Sequence, residues 1–103
     1  MLSDWLASLF SRELVCEVSS ASSSALLDLS TAEWRLDIVD YIGARHSMFP
    51  SVVASGTVIG PVRADDSGLG AHVLRGATVV SGGADTQCSL LGCGAYRSNQ
   101  VAI

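Results

Sequence analysis

The sequence predicts an α+β fold: N-terminal helices followed by a small antiparallel β-sheet or barrel. Three observations carry that expectation. Before Pro50, apolar residues recur at helical spacing in two stretches. After Pro50 come short β-branched runs, Val52-Val53, Thr57-Val58-Ile59, Val73-Leu74 and Thr78-Val79-Val80, each interrupted by glycine. Turn signals then return about every eight to twelve residues, the spacing of compact antiparallel sheets.

At 103 residues the chain is one domain's worth and can bury a modest core. Hydrophobic residues make up 49% and charged residues 16%, with a mean hydropathy of +0.41. That is too apolar for a disordered chain. It is also sparsely charged for the surface of a free monomer, so apolar surface is expected to be covered by a partner or by copies of the chain. An abundance of Ala, Gly and Ser is the plainer explanation of the same numbers.

Net charge is −4, and six arginines with no lysine are spread evenly along the chain. Phosphate neutralisation needs grouped cations, so nucleic acid is excluded as a partner. The longest uncharged stretch, residues 47–62, contains Pro50 and Pro61 and is too short and broken to span a bilayer. No membrane partner is expected. Asp4 precedes the apolar residues without a basic leader, and three cysteines form no disulfide framework. The expected setting is reducing and cytoplasmic.

Residues 1–18 read as a helical and extended N-terminal arm. Ser3 caps a helix over residues 4–14, with Trp5, Leu6, Leu9 and Phe10 on one face and Asp4 near the positive end of the dipole. Leu14-Val15-Cys16-Glu17-Val18 alternates, as a strand or as the fraying end of that helix. Residues 19–29, opened by a serine cluster, read as a linker. Residues 30–103 read as a helix plus a β-rich domain. Ser30-Thr31-Ala32-Glu33 is a capping box, followed by Trp34, Ile38, Tyr41 and Ile42 at helical spacing. Trp34 and Tyr41 are expected in the core, and Pro50 forbids continuation. Strands are expected at residues 51–54, 57–63, 71–75, 78–80, 87–91 and 95–96.

No constellation rises to a catalytic site. His46, His72 and many serines are present, but no G-x-S-x-G elbow occurs. Cys88 and Cys93 stand wider apart than a zinc-knuckle pair and have no second pair, so buried free thiols are the expectation. Asp65-Asp66-Ser67-Gly68 has too few carboxylates for a calcium loop. Gly68-Leu69-Gly70-Ala71-His72-Val73 begins like a dinucleotide loop but holds valine at its third small position and has no helix pattern after it. Gly70, Gly76 and Gly82 recur with the six-residue period of a hexapeptide β-helix, yet the register breaks on either side, and a solenoid needs about three or more repeats. The expectation is therefore no catalytic, cofactor-binding or metal-binding residue, no cofactor and no enzyme.

Ala54-Ser55-Gly56-Thr57-Val58-Ile59-Gly60 resembles the A-x-G-T-V-hydrophobic-G opening strand of lambda-type phage head decoration proteins. Val73-Leu74-Arg75-Gly76-Ala77-Thr78-Val79 is similar to a later strand of that family. The resemblance implies a non-enzymatic structural or assembly protein, a β-rich oligomer that reinforces a viral capsid, with the virion as its location. Its partner would be itself, as a homo-oligomer, or a larger protein assembly. The expected interface is Trp5, Leu9, Phe10, Val58, Ile59, Val73 and Leu74. Two alternatives stand beside it: a small regulatory module docking through an amphipathic helix, and a fragment of a hexapeptide-repeat transferase.

Overall fold

The computed structural model describes residues 1–63 and 71–100. Its elements run α1 (Leu2–Ser11), β1 (Val15–Glu17), α2 (Val18–Ser22), β2 (Leu27–Asp28), β3 (Glu33–Trp34), α3 (Leu36–Tyr41), β4 (Ser51–Val53), β5 (Val58–Pro61), β6 (Thr78–Val80) and α4 (Asp85–Gly92). Single 3-10 turns lie at His46–Met48 and Ala71–Leu74.

The expected antiparallel sheet or barrel is not what forms. β1 pairs in parallel with β4, placing Val15, Cys16 and Glu17 opposite Ser51, Val52 and Val53. A parallel pair requires a crossover, and here α2, the β2–β3 hairpin and α3 supply it. β5 and β6 pair antiparallel with a bulge between Val58 and Gly60. The result is a small mixed α/β arrangement, and among the described residues no barrel closes. The antiparallel β5–β6 pair also rules out a hexapeptide coil there, because successive coils of a solenoid stack in parallel.

Helix α1 ends earlier than its apolar periodicity suggests. Arg12 takes a left-handed backbone (φ 64°) and returns its N–H to the Ser8 carbonyl at 2.8 Å. Ser3 lies inside the helix instead of capping it. Asp4 is buried, taking the Met1 ammonium at 3.1 Å, the Cys16 thiol at 3.3 Å and the Glu17 amide at 3.4 Å. This carboxylate ties α1 to β1.

The serine run read as a linker begins as helix α2. Its amides find an acceptor in Glu17, which caps the helix by taking the Ser20 N–H at 2.9 Å, and Ser20 and Ala21 are buried. Small side chains are what let this helix lie close to the sheet.

The expected capping box is a hairpin turn. The Asp28 carboxylate captures the Ser30 amide at 2.8 Å and hydroxyl at 2.6 Å, and Ala32 adopts φ 56°. Trp34 consequently pairs with Leu27 in β3, and α3 starts only at Leu36. Trp34 joins the core of Cys16, Ala21, Leu27, Val18 and Val52, donates its indole N–H to the Pro50 carbonyl at 2.7 Å, and packs edge-on to Phe49. Tyr41 does not join it and is 90% exposed; Val39 is the buried residue of α3.

Strands β4, β5 and β6 fall within the expected residues 51–54, 57–63 and 78–80. Three other strand expectations fail. Residues 71–74 form a 3-10 turn, residues 87–91 lie inside α4, and residues 95–96 are not in a strand. The acidic turn at residues 64–68 and the start of the glycine-rich loop at 68–70 lie outside the described residues. No helix among the described residues is long and apolar enough to cross a membrane.

Candidate functional site

The polar site grows from the end of β6. Ser81 is buried and exchanges backbone bonds with the turn after β4: its N–H donates to the Thr57 carbonyl and its carbonyl accepts the Gly56 N–H, both at 2.8 Å. Gly56 needs its φ of +82° for that turn. The chain then passes through Gly82 and Gly83 into α4. A Cβ on Gly83 would stand 3.0 Å from the Cys88 sulfur and 3.4 Å from the Ser55 Oγ, so a side chain here would require those neighbours to shift by a few tenths of an ångström. Asp85 opens α4, exposed, with one carboxylate oxygen accepting the Thr86 N–H at 2.7 Å. A carboxylate is favoured at this end of a helix. No salt bridge to Asp85 is present among the described residues.

Behind that segment lies a buried carboxylate. Glu17 is 2% exposed. Its Oε2 accepts the Ser19 hydroxyl at 2.5 Å and its Oε1 accepts the Ser55 hydroxyl at 2.5 Å. Burial by itself would push this carboxyl up. The two serine hydroxyls and the backbone N–H groups of Ser19 and Ser20 outweigh burial and bring it down to about 2. The Ser19 oxygen in turn accepts the Ala84 N–H at 2.8 Å. One carboxylate therefore links β1, the β4–β5 turn and the residue before Asp85.

Two cavities flank these elements. The larger, about 330 Å³, is apolar and lined by Trp5, Leu14, Cys16, Trp34, Met48 and Phe49 among others. The smaller, about 110 Å³, lies between Ser3, Asp4 and Ala7 of α1 and the Val80–Gly83 segment, with Ile59 on its wall. Among the described residues no three His, Cys, Asp or Glu side chains gather as a metal site.

The seven residues expected to form an interface supply apolar surface and no part of the polar network. Trp5, Val58, Val73 and Leu74 are exposed, Val73 at 77%, whereas Leu9, Phe10 and Ile59 are half-buried. Trp5 borders the larger cavity and Ile59 the smaller. Glu17, Ser19, Ser55, Gly83 and Asp85 were not legible as a group. The usable signal was Ser81-Gly82-Gly83-Ala84-Asp85, where a glycine pair follows a β-branched run and an acid opens the next element; it reads as a plain turn if the next element is taken for a strand.

The thiols separate cleanly. Cys16 is buried and its pKa is raised to about 11, by burial first and by its hydrogen bond to Asp4 second. Cys88 and Cys93, expected to be buried, are exposed. A maleimide reagent at mild alkaline pH is expected to label those two in the native chain and Cys16 only after denaturant is added. Equal labelling of all three without denaturant, followed by mass spectrometry, would contradict this placement of Cys16.

Residues 1–92 match the N-terminal domain of the FGGY family of carbohydrate kinases. The autoinducer-2 kinase of Klebsiella pneumoniae subsp. pneumoniae is 41% identical over 106 residues, covering 100% of this chain and 19% of that protein. The autoinducer-2 kinase of Escherichia coli K12 is 38% identical over 103 residues, with the same shares covered. Among solved structures, xylulose kinase from Lactobacillus acidophilus superposes with a TM-score of 0.80 at 18% identity, over 91% of this chain and 19% of that one. Plasmodium falciparum glycerol kinase with ADP gives 0.80 at 16% identity, over 93% and 19%. These likenesses establish that the chain shares the fold of the matching segments of those two kinases. The chain spans about a fifth of the length of the curated relatives it matches. These findings overturn the phage decoration resemblance, and with it the structural, non-enzymatic and virion expectations. The physical reason is that the Gly56–Gly60 motif is generic strand-and-turn material, here spent on β5 and its pairing with β6.

Proposed function

Because the chain belongs to the FGGY family of carbohydrate kinases, we propose that it serves an enzyme transferring the terminal phosphoryl group of a nucleoside triphosphate to a hydroxyl of a small sugar-like acceptor. Autoinducer-2 is the first acceptor to test, since relatives of that name align along the whole chain.

The observation that carries this role is Asp85 at the opening of α4, just past the Gly82-Gly83 pair. Transfer to a hydroxyl needs a carboxylate placed to take the hydroxyl proton as the oxygen attacks phosphorus. Open α/β folds bind ligands beyond the carboxyl ends of their strands, which is where Asp85 stands relative to β6. In the proposed step the acceptor oxygen bonds to the γ-phosphorus and the bond from that phosphorus to the bridging β–γ oxygen breaks. The electron pair leaves with the nucleoside diphosphate, and the acceptor proton passes to Asp85. Gly82 and Gly83 leave the approach to the carboxylate free of side chains.

The exposed and half-buried apolar residues have a place in the same proposal. Trp5, Leu9, Phe10, Val58, Ile59, Val73 and Leu74 form faces that pack against protein, either further kinase structure or a second copy of the chain. A triphosphate-dependent sugar kinase with free thiols suits the cytoplasm.

The test exchanges this chain for the matching segment of the Klebsiella autoinducer-2 kinase and measures ATP-dependent phosphorylation of autoinducer-2, xylulose and glycerol. Activity toward autoinducer-2 within about tenfold of the host supports the proposal. A folded exchange protein that phosphorylates none of the three acceptors would sink it.

A further inference from the structure

We propose that Glu17 is a positioning residue for Asp85, acting through the Ser19 hydroxyl on the Ala84 amide. The proposal rests on the kinase role given to Asp85 above.

The hydrogen-bond directions make the chain of contacts one-way. A serine hydroxyl has one proton and two lone pairs. Ser19 gives its proton to Glu17 Oε2 at 2.5 Å, which leaves its lone pairs to receive the Ala84 N–H at 2.8 Å. Glu17 as a carboxylate can only accept, so it holds the Ser19 oxygen in that orientation. Ala84 precedes Asp85, and the two contacting residues, Ser19 and Ala84, are 65 positions apart in sequence.

The other oxygen of Glu17 reaches the same segment by a second route. Ser55 donates to Oε1 and belongs to the turn whose Gly56 and Thr57 hold Ser81 through backbone bonds. The Gly82-Gly83 segment is thus pinned at Ser81 and at Ala84, and both pins trace back to one carboxylate. Between them Gly83 lies against Cys88 and Ser55 too closely to admit a Cβ without displacement. A helix opening held in this way keeps the Asp85 carboxylate at one place relative to β6, as a positioned proton acceptor requires.

A purely local role is the competing account, since Glu17 also caps α2 through the Ser20 N–H. Ser19→Ala separates the two, because it removes the acceptor of the Ala84 N–H and leaves Glu17 to cap α2. Glutamine keeps its oxygen on the Ser20 amide and the Ser19 hydroxyl and turns its NH₂ to the Ser55 oxygen, so it disturbs the second route alone.

The experiment is residue-resolved amide hydrogen exchange on the full 103-residue chain, comparing wild type with Ser19→Ala, Ser19→Thr, Ser55→Ala and Glu17→Gln. Exchange at Ala84 is expected to rise about tenfold or more in Ser19→Ala and about threefold in Glu17→Gln, while Val39 in α3 stays within about twofold. Ser19→Thr, which keeps the hydroxyl, is expected to restore protection. Should Ser19→Ala fail to fold, Ser55→Ala is expected to raise Ala84 exchange about threefold. Unchanged exchange at Ala84 in the folded variants, or an equal rise at Val39 and Ala84, would overturn the proposal. In the segment-exchange kinase, Ser19→Ala is expected to lower kcat about tenfold with acceptor KM within about twofold. If the kinase role is wrong, the exchange protein lacks activity whatever Ala84 does. If positioning is wrong, it is active and Ala84 exchange does not respond.

Discussion

Replacing Asp85 by asparagine is expected to lower kcat of the kinase carrying this segment by about a hundredfold or more, with acceptor KM within about threefold. The substitution keeps the size of the side chain and an oxygen that can accept the Thr86 N–H, so the opening of α4 survives. What it removes is the ability to take a proton from the acceptor hydroxyl, a loss confined to the transition state. Stability should change little, because Asp85 is exposed and its side-chain hydrogen bonds reach only the adjacent Thr86. Losing a carboxylate at a helix N-terminus costs about 0.3–1 kcal/mol. Steady-state kinetics with paired thermal unfolding checks both halves. Full activity in Asp85→Asn would remove Asp85 from the chemistry and point to another carboxylate.

The second large effect is on stability in acid. Glu17 titrates at about 2 in the folded chain, against an ordinary value of 4.5. A carboxyl whose folded pKa is depressed binds its proton more readily in the unfolded chain. Its contribution is therefore fully present above pH 4.5 and declines as pH falls toward 2. A shift of that size in a buried group corresponds to about 3 kcal/mol. Denaturant unfolding of wild type and Glu17→Gln at several pH values measures it. Wild type is expected to be the more stable by about 2–3 kcal/mol at pH 7, with the gap narrowing steadily below pH 4.5. A gap that stays constant down to pH 3 would show that the serine hydroxyls do not favour the ionised form.

The contrast between Asp85 and Glu17 shows how far the sequence could be read. Asp85 was within reach, because a glycine pair and an acid at the start of an element form a local pattern. The expectation of a strand at residues 87–91 obscures it, although Ala84 supplies an extended residue before the helix and the Cys88 N–H closes onto the Ala84 carbonyl. Glu17 was out of reach. Beside a serine run it has the local look of a solvated acid, and two of its consequential neighbours, Ser55 and Ala84, come from the other half of the chain. The short G-T-V-I-G motif misled for the opposite reason, since many folds contain a strand that leaves a tight turn.

By itself the sequence determined the local elements whose causes are local. These include the amphipathic α1, the alternation that becomes β1, the β-branched β4 and β6 and the turn at Gly56. It also determined the surplus of apolar surface. Only the tertiary structure decided that β1 and β4 run parallel, that the serine run starts as a helix, and that Glu17 is buried behind the opening of α4. Alternation sets which side chains share a face of a strand but not the direction of its partner. The burial of a carboxylate depends on whether distant hydroxyls and amides arrive to satisfy it, and that is settled only when the whole chain closes around it.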